Sequence, residues 1–345
     1  MIGLIEDAST GLQIAIFIGA GAIIVVAGSK LAFVADRIAD QTGMGEAITG
    51  AILLGAATSL PGVITSTVTA AQGYPSLAYS NAIGGIAAQT LFLVIADFMH
   101  RRANLEHAAA SLVNIVNATL LIVLLSLMLG AASGPDISIF GVHPVSLLCF
   151  VVYGFGLRFA QNARDEPMWL AAETKDTRAD IPDEDSHRTS LPRTLAVFAG
   201  CLLAVAAGGY AVAETGTAFV SSLGVSESLV GTLMTSTVTS LPELVTTIAA
   251  VRAGSLQLAV GGILGGNAFD TLFASFADIA YRDGSIYGAI AGSDIFLTAI
   301  VTAMTGVLIL GLLRREKRGF GGIGFEGWSV GALYVTAIAG VIVLS

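Results

Sequence analysis

Charge is scarce in this sequence. Only 12% of the 345 residues are Asp, Glu, Lys or Arg, while 54% are hydrophobic, and the mean hydropathy is +0.82. A soluble domain of this length needs more polar surface, so the shortage excludes a water-soluble globular fold and indicates an integral membrane protein. Bases are scarcer than acids, 16 against 25 for a net charge of −9. That balance excludes the basic footprint of a nucleic-acid binder. Cysteine is nearly absent. Cys149 and Cys201 sit in apolar runs without metal-type spacing, and both read as small buried hydrophobes. No nucleophile or metal-ligand motif of a membrane enzyme is present, and no cofactor is expected. The N-terminal MIGLIEDAST lacks the positive flank of a signal peptide, so the first apolar run is expected to be a retained span.

What the chain has in abundance is long apolar runs. A membrane-crossing helix needs about 20 mostly apolar residues. That ruler predicts ten spans, near 12–36, 46–72, 76–99, 107–131, 139–161, 192–218, 227–251, 256–280, 287–313 and 327–345. The runs are too long for the alternation of an outer-membrane barrel, so the expected fold is an all-α integral membrane protein.

Lys and Arg mark the cytoplasmic loops. Arg37 follows span 1, and Arg101 and Arg102 follow span 3. Arg164, Lys175, Arg178, Arg188 and Arg193 fall between spans 5 and 6. Arg252 follows span 7, and Arg314, Arg315, Lys317 and Arg318 follow span 9. The other loops are nearly free of bases, Arg282 excepted. Both termini are therefore expected outside the cell, in a multi-pass protein of the cell (inner) membrane. The one long polar stretch, 161–191, holds eight acids and Pro167 and Pro182. It reads as a cytoplasmic linker between an N-terminal half, 1–160, and a C-terminal half, 192–345.

The halves are repeats. Residues 46–97 align without a gap to 227–278 at a shift of 181, with 18 identities in 52 positions, among them Thr58, Ser59, Leu60, Pro61, Gly84, Gly85 and Asp97 with their partners. Five spans separate the copies, and five is odd, so the copies cross the membrane in opposite directions. Two inverted five-helix repeats are the architecture of many secondary transporters, whose sites lie near the midplane where helices are interrupted. Pro61 and Pro242 predict breaks in spans 2 and 7. Gly84–Gly85 and Gly265–Gly266 predict breaks in spans 3 and 8.

Polar residues gather at those places. The second copy supplies Thr239, Ser240, Glu243, Asn267 and Asp270, and the first supplies Thr58, Ser59, Asn81 and Gln89. Oxygen donors of this kind suit hard cations, and intramembrane carboxylates mark function. Inorganic cations are thus the expected partners besides the lipid bilayer. Asp97 and Asp278, at span ends, are expected to have a structural or interfacial role. Glu46 and Glu227 are expected to favour the N-termini of the spans they open.

These motifs resemble the calcium/cation antiporter superfamily, the sodium/calcium exchangers and their relatives. That family carries a G-T-S-x-P-E stretch followed by a G-N-x-x-G-S-N-x-x-N/D stretch in each of two inverted repeats. Here the pairs are AATSLPG with SNAIGGIAAQ, and TVTSLPE with GGILGGNAFD. The stretch GSKLAFVADRI also resembles the family's first helix. The resemblance implies ten helices, cation antiport and ion ligands at Thr58, Ser59, Thr239, Ser240, Glu243 and Asp270. This chain departs from the pattern at Gly62, where the family has its first glutamate, and at Gly85, Gly266, Ile86, Gln89 and Gly261–Gly262. One carboxylate fewer lowers the site's charge, which weakens divalent binding more than monovalent binding. Three readings stay open: a sodium/calcium exchanger-like antiporter with a reduced site, a cation/proton exchanger using Glu243 and Asp270 as proton carriers, and a degenerate homologue that does not transport. Gly62→Glu is expected to raise divalent affinity.

Overall fold

The computed structural model describes residues 5, 7–42, 55–99, 104–167, 169–170, 190–317 and 319–345. Glu46, Arg101, Arg102, Lys175, Arg178, Arg188, Arg318 and most of the expected linker lie outside the described residues. The first half contains α1 (Thr10–Thr42), α2 (Gly55–Thr58), α3 (Leu60–Ala71), α4 (Pro75–Met99), α5 (Leu105–Ala108), α6 (Leu112–Ser133) and α7 (Pro144–Asp165). The second contains α8 (Leu191–Leu223), α9 (Glu227–Leu229), a π-helical turn (Val230–Thr235), α10 (Ser236–Thr239), α11 (Leu241–Ala253), α12 (Leu256–Ala280), α13 (Ile286–Ala289), α14 (Gly292–Arg314) and α15 (Phe325–Leu344). Among the described residues there is no strand, only an isolated bridge between Ile139 and Val142.

Seven of these helices, α1, α4, α6, α7, α8, α14 and α15, are long and apolar enough to cross a membrane. The other three expected spans are the two interrupted ones and α12, whose 25 residues carry Asn267, Asp270 and Asp278. Exposed apolar side chains such as Phe33, Phe155, Leu203, Leu313 and Val335 stud the outer helices, as contact with lipid requires.

The repeat runs much further than the sequence identities. Helix α1 recurs as α8 with the same 33-residue length and a start 181 residues later. The same shift carries α2 onto α10, α4 onto α12, α5 onto α13 and the start of α7 onto the start of α15. Packing follows the exchange. Helix α1 packs on α8, α3 on α8 as α11 on α1, α12 on α6 as α4 on α14, and α6 on α7 as α14 on α15. Glycines make the equivalent approaches possible. A Cβ on Gly28 would lie 2.7 Å from Pro242 Cγ, and one on Gly209 would lie 2.7 Å from the Pro61 carbonyl oxygen.

Apolar burial falls into two clusters. One, with Phe17, Ile24, Val205, Val212 and Phe219, joins α1 to α8. The other joins α4, α6, α7, α12, α14 and α15. Cys201 lies in the first and Cys149 in the second, both buried free thiols.

The acids at span ends are fastened. Asp97 Oδ1 accepts from the Leu105 N–H at 2.7 Å, and Asp278 Oδ1 from the Ile286 N–H at 2.8 Å, the same bond in both repeats. Asp278 also accepts from Ser285 Oγ, His143 N and Ser146 Oγ. Glu227 does not serve the helix it opens. Its Oε2 accepts from the Ser76 and Leu77 N–H groups, satisfying orphan donors in the first turn of α4, while Ser226 caps α9 through the Leu229 N–H.

Candidate functional site

Pro61 and Pro242 stand in the first turns of α3 and α11. A proline there deletes a hydrogen bond to the preceding turn and forces a break. The breaks fall at Ser59 (φ −79, ψ −6) and Ser240 (φ −96, ψ 0), equivalent positions close to the bridge region. The glycine pairs do not break their helices. Helices α4 and α12 each run 25 residues without interruption. The pair in α4 provides proximity instead, while Cβ atoms on Gly265 and Gly266 would meet nothing closer than 3.6 Å. A Cβ on Gly84 would lie 2.7 Å from Thr232 Cα, and one on Gly85 would lie 3.2 Å from Ser240 Oγ. An isolated glycine pair costs a helix only about 1 kcal/mol per residue, which packing at an interface this close outweighs. The sequence did not foretell the π turn. It lies where Gly231 faces Ser80 so closely that a Cβ would overlap the serine hydroxyl. Such turns often occur at functional sites.

The breaks bring four equivalent side chains into one chain of hydrogen bonds. Ser59 Oγ donates to Asp270 Oδ1 at 2.7 Å. Gln89 Nε2 donates to Asp270 Oδ2 at 2.6 Å and to Ser240 Oγ at 3.3 Å. Gln89 and Asp270 are each other's repeat partners, 181 residues apart. The Ser59–Asp270 bond becomes the Ser240–Gln89 bond when the halves are exchanged. A local two-fold axis therefore passes between Gln89 and Asp270. The Thr58 and Thr239 hydroxyls, also equivalent, donate to the Gly55 and Ser236 carbonyls of their own helices at 3.2 Å.

Glu243 departs from this order. It is 7% exposed, and neither of its oxygens accepts a hydrogen bond. Asp270 acts on it as a like charge, and the nearby Thr58 hydroxyl as a weak donor that falls outside hydrogen-bond geometry. Gln89 Oε1 and Asn267 Oδ1 are likewise buried without a donor. Buried polar oxygens are almost always satisfied, because an unsatisfied one costs several kcal/mol and an unpaired charge costs more. Four such oxygens lie on three elements that pack against one another, α4, α11 and α12.

The remaining expected ligands divide. Asn267 Nδ2 donates to Thr90 Oγ1 at 3.2 Å, which leaves its oxygen free. Asn81 is fully engaged. Its Oδ1 accepts from Thr235 Oγ1 at 2.7 Å, and its Nδ2 donates to Ser66 Oγ and the Gly62 carbonyl. It ties spans 2, 3 and 7 together beside the site.

Phe273 is a residue at the helix breaks that the sequence reading missed. A Cβ built on Gly62 would overlap the Phe273 ring, so the place of a first-repeat carboxylate is filled by an aromatic edge. Phe273 is buried and packs edge-on against Phe269 at 6.1 Å. The only signal in the sequence was Gly62 itself, since a glycine opposite a glutamate in a repeat marks close approach.

The family model described as sodium/calcium exchanger protein matches residues 12–161 and 193–344. The chain is 25% identical over 310 residues to inner membrane protein YrbG of Escherichia coli strain K12, covering 87% of this chain and 89% of that one. Among solved structures, the H+/Ca2+ exchanger CAX superposes with a TM-score of 0.68 at 13% identity, over 96% of this chain and 82% of that chain. The sodium-calcium exchanger NCX_Mj superposes at 0.59 with 19% identity, over 95% of this chain and 98% of that chain. At these identities the structural likeness concerns the fold.

Proposed function

Because the chain belongs to the sodium/calcium exchanger protein family, we propose that it is a secondary active cation antiporter that works by alternating access with a reduced ion site. The observation that carries this reading is Glu243, a buried carboxylate with two unpartnered oxygens beside Asp270 at the paired helix breaks. Asp270 is held by Ser59 and Gln89, so Glu243 is the group that receives the cation. Thr58, Ser59, Thr239, Ser240, Gln89 and Asn267 supply neutral oxygens around it, and Asn81 braces the helices. The separate apolar cluster between α1 and α8 supports a motion in which that pair rocks across the other helices. The protein resides in the cell (inner) membrane with both termini outside and the 161–191 linker in the cytoplasm.

One observation favours a second reading. A carboxylate without a donor is satisfied equally by a metal cation or by a proton, so Glu243 suits cation/proton exchange in which the two alternate on one group. The absent carboxylate at Gly62 is the argument for a homologue that does not transport.

Purified protein in liposomes decides among these. Gradients of Na⁺, K⁺, Ca²⁺ and protons are imposed in turn, and flux of each cation is followed against each counter-gradient. The expected result is uptake of one cation driven by the opposite gradient of another. Absence of counterflow for every pair overturns antiport.

A further inference from the structure

A second group of buried carboxylates lies far from the helix breaks. Asp97 ends α4, Glu106 lies in α5, and Glu326 opens α15. Their exposures are 4%, 3% and 1%. Asp97 is capped by the Leu105 N–H. The Glu106 and Glu326 carboxyl groups adjoin. Glu106 Oε2 and both oxygens of Glu326 accept no hydrogen bond from any protein donor.

The surroundings fit this carboxyl pair. A Cβ on Gly311 would lie 2.7 Å from Glu326 Cγ, and one on Gly324 would overlap the Glu326 carboxylate. Asn104 and α5 are tied to the loop that follows α14. The Asn104 N–H and Nδ2 donate to the Lys317 and Glu316 carbonyls at 3.2 and 2.8 Å. His107 Nδ1 donates to the Arg315 carbonyl at 2.7 Å, and Arg315 Nη2 donates back to the His107 carbonyl at 3.2 Å. The charged groups that act on the pair are Asp97 from α4, Arg314 from the end of α14 and Glu316 from the following loop, while His107 and Arg315 bond to each other's carbonyls. Arg314 is occupied elsewhere, 3.7 Å from Glu316 and over the Phe325 ring.

Two adjoining carboxylates shielded from water repel strongly, and like-charged pairs of this kind ionise only once. A proton between them replaces the repulsion with a short charge-assisted hydrogen bond. A metal ion is the alternative, but no group of three His, Cys, Asp or Glu among the described residues is arranged to hold one. We propose that Glu106 and Glu326 form a second cation site whose ligand is one shared proton, and that its occupancy holds Asn104 and α5 against the 315–317 loop. The inference does not depend on transport.

The linkage has a definite sign. Burial, reinforced by Asp97 and Glu326, holds the Glu106 carboxyl well above the usual glutamate range. The folded chain therefore keeps this proton to higher pH than the unfolded chain does. The stabilisation is complete below the ordinary glutamate pKa and is lost as pH rises through the raised value.

The test compares thermal unfolding of the full chain in detergent from about pH 5 to about pH 8 for wild type, Glu106→Gln and Glu326→Gln. Glutamine supplies a permanent N–H donor in place of the shared proton. Wild type is expected to lose several degrees of Tm relative to both variants as pH rises, and its protonated-carboxyl infrared band is expected to shrink in each variant. In wild type alone, hydrogen exchange at the Leu105 N–H is expected to quicken over the same interval, which keeps the test informative if a variant misfolds. Identical pH slopes with an unchanged infrared band overturn the proposal. So does restoration of wild-type Tm at high pH by Ca²⁺ that is absent in both variants, because the ligand is then a metal.

Discussion

Glu243→Gln lowers cation counterflow in proteoliposomes to the level of protein-free vesicles while leaving the protein folded. The expected size follows from the place of the carboxylate. It is buried, neither of its oxygens meets a donor in good hydrogen-bond geometry, and the other carboxylate of the site, Asp270, already accepts hydrogen bonds on both oxygens. A cation leaving water for this pocket needs a counter-charge. Removing one member of a buried charge pair costs about 3–5 kcal/mol, roughly two to four orders of magnitude in affinity. Glutamine keeps the shape and one oxygen but withdraws the charge. The substitution also relieves an unpaired buried charge, so the variant's melting temperature without added cations is expected to equal or exceed that of wild type. Folded protein with undiminished flux would refute the assignment of Glu243 as the cation's counter-charge.

Gly62→Glu made alone does not restore the first-repeat carboxylate to the site. The new side chain meets the Phe273 ring at its first carbon, and overpacking of this kind costs about 1–3 kcal/mol. Gly62→Glu together with Phe273→Ala removes the obstruction and places a carboxylate opposite Glu243 about the Gln89–Asp270 axis. The added charge favours a divalent ion more than a monovalent one, because the attraction scales with the ion's charge. The double variant is expected to bind Ca²⁺ at least about tenfold more tightly than wild type, a gain of about 1.4 kcal/mol. Phe273→Ala alone is expected to gain nothing. Calcium titration of the four proteins checks this through the cycle's non-additivity. Equal calcium affinity in all four would mean that the Gly62 position lies outside the site.

The sequence displayed the core of the fold but not its full symmetry. The identities between 46–97 and 227–278 exposed the inverted repeat because α3, α4 and α12 from those segments pack on one another around the axis. Outside them, α1 and α8 keep equal lengths and register with few matching residues, because much of their surface faces lipid and needs only to be apolar. The TSLP tetrapeptides announced their breaks through proline, which acts locally. The glycine pairs were misleading, since a glycine that loosens a helix and one that admits a neighbour look alike in sequence. Gln89 and Asp270 were both legible as polar groups, but their contact across the axis depends on packing. The carboxylate pair of Glu106 and Glu326 was illegible because 220 positions separate the two residues and neither belongs to a motif.

Equilibrium cation binding to purified protein, wild type against Glu243→Gln, tests the central claim most directly. Titrations with Na⁺, K⁺ and Ca²⁺ at fixed pH are expected to show saturable binding of at least one cation to wild type. In Glu243→Gln that binding should be lost, and in Glu106→Gln it should be retained. Saturable binding that survives in Glu243→Gln, or none of the three cations binding to wild type, would contradict a cation site built on Glu243.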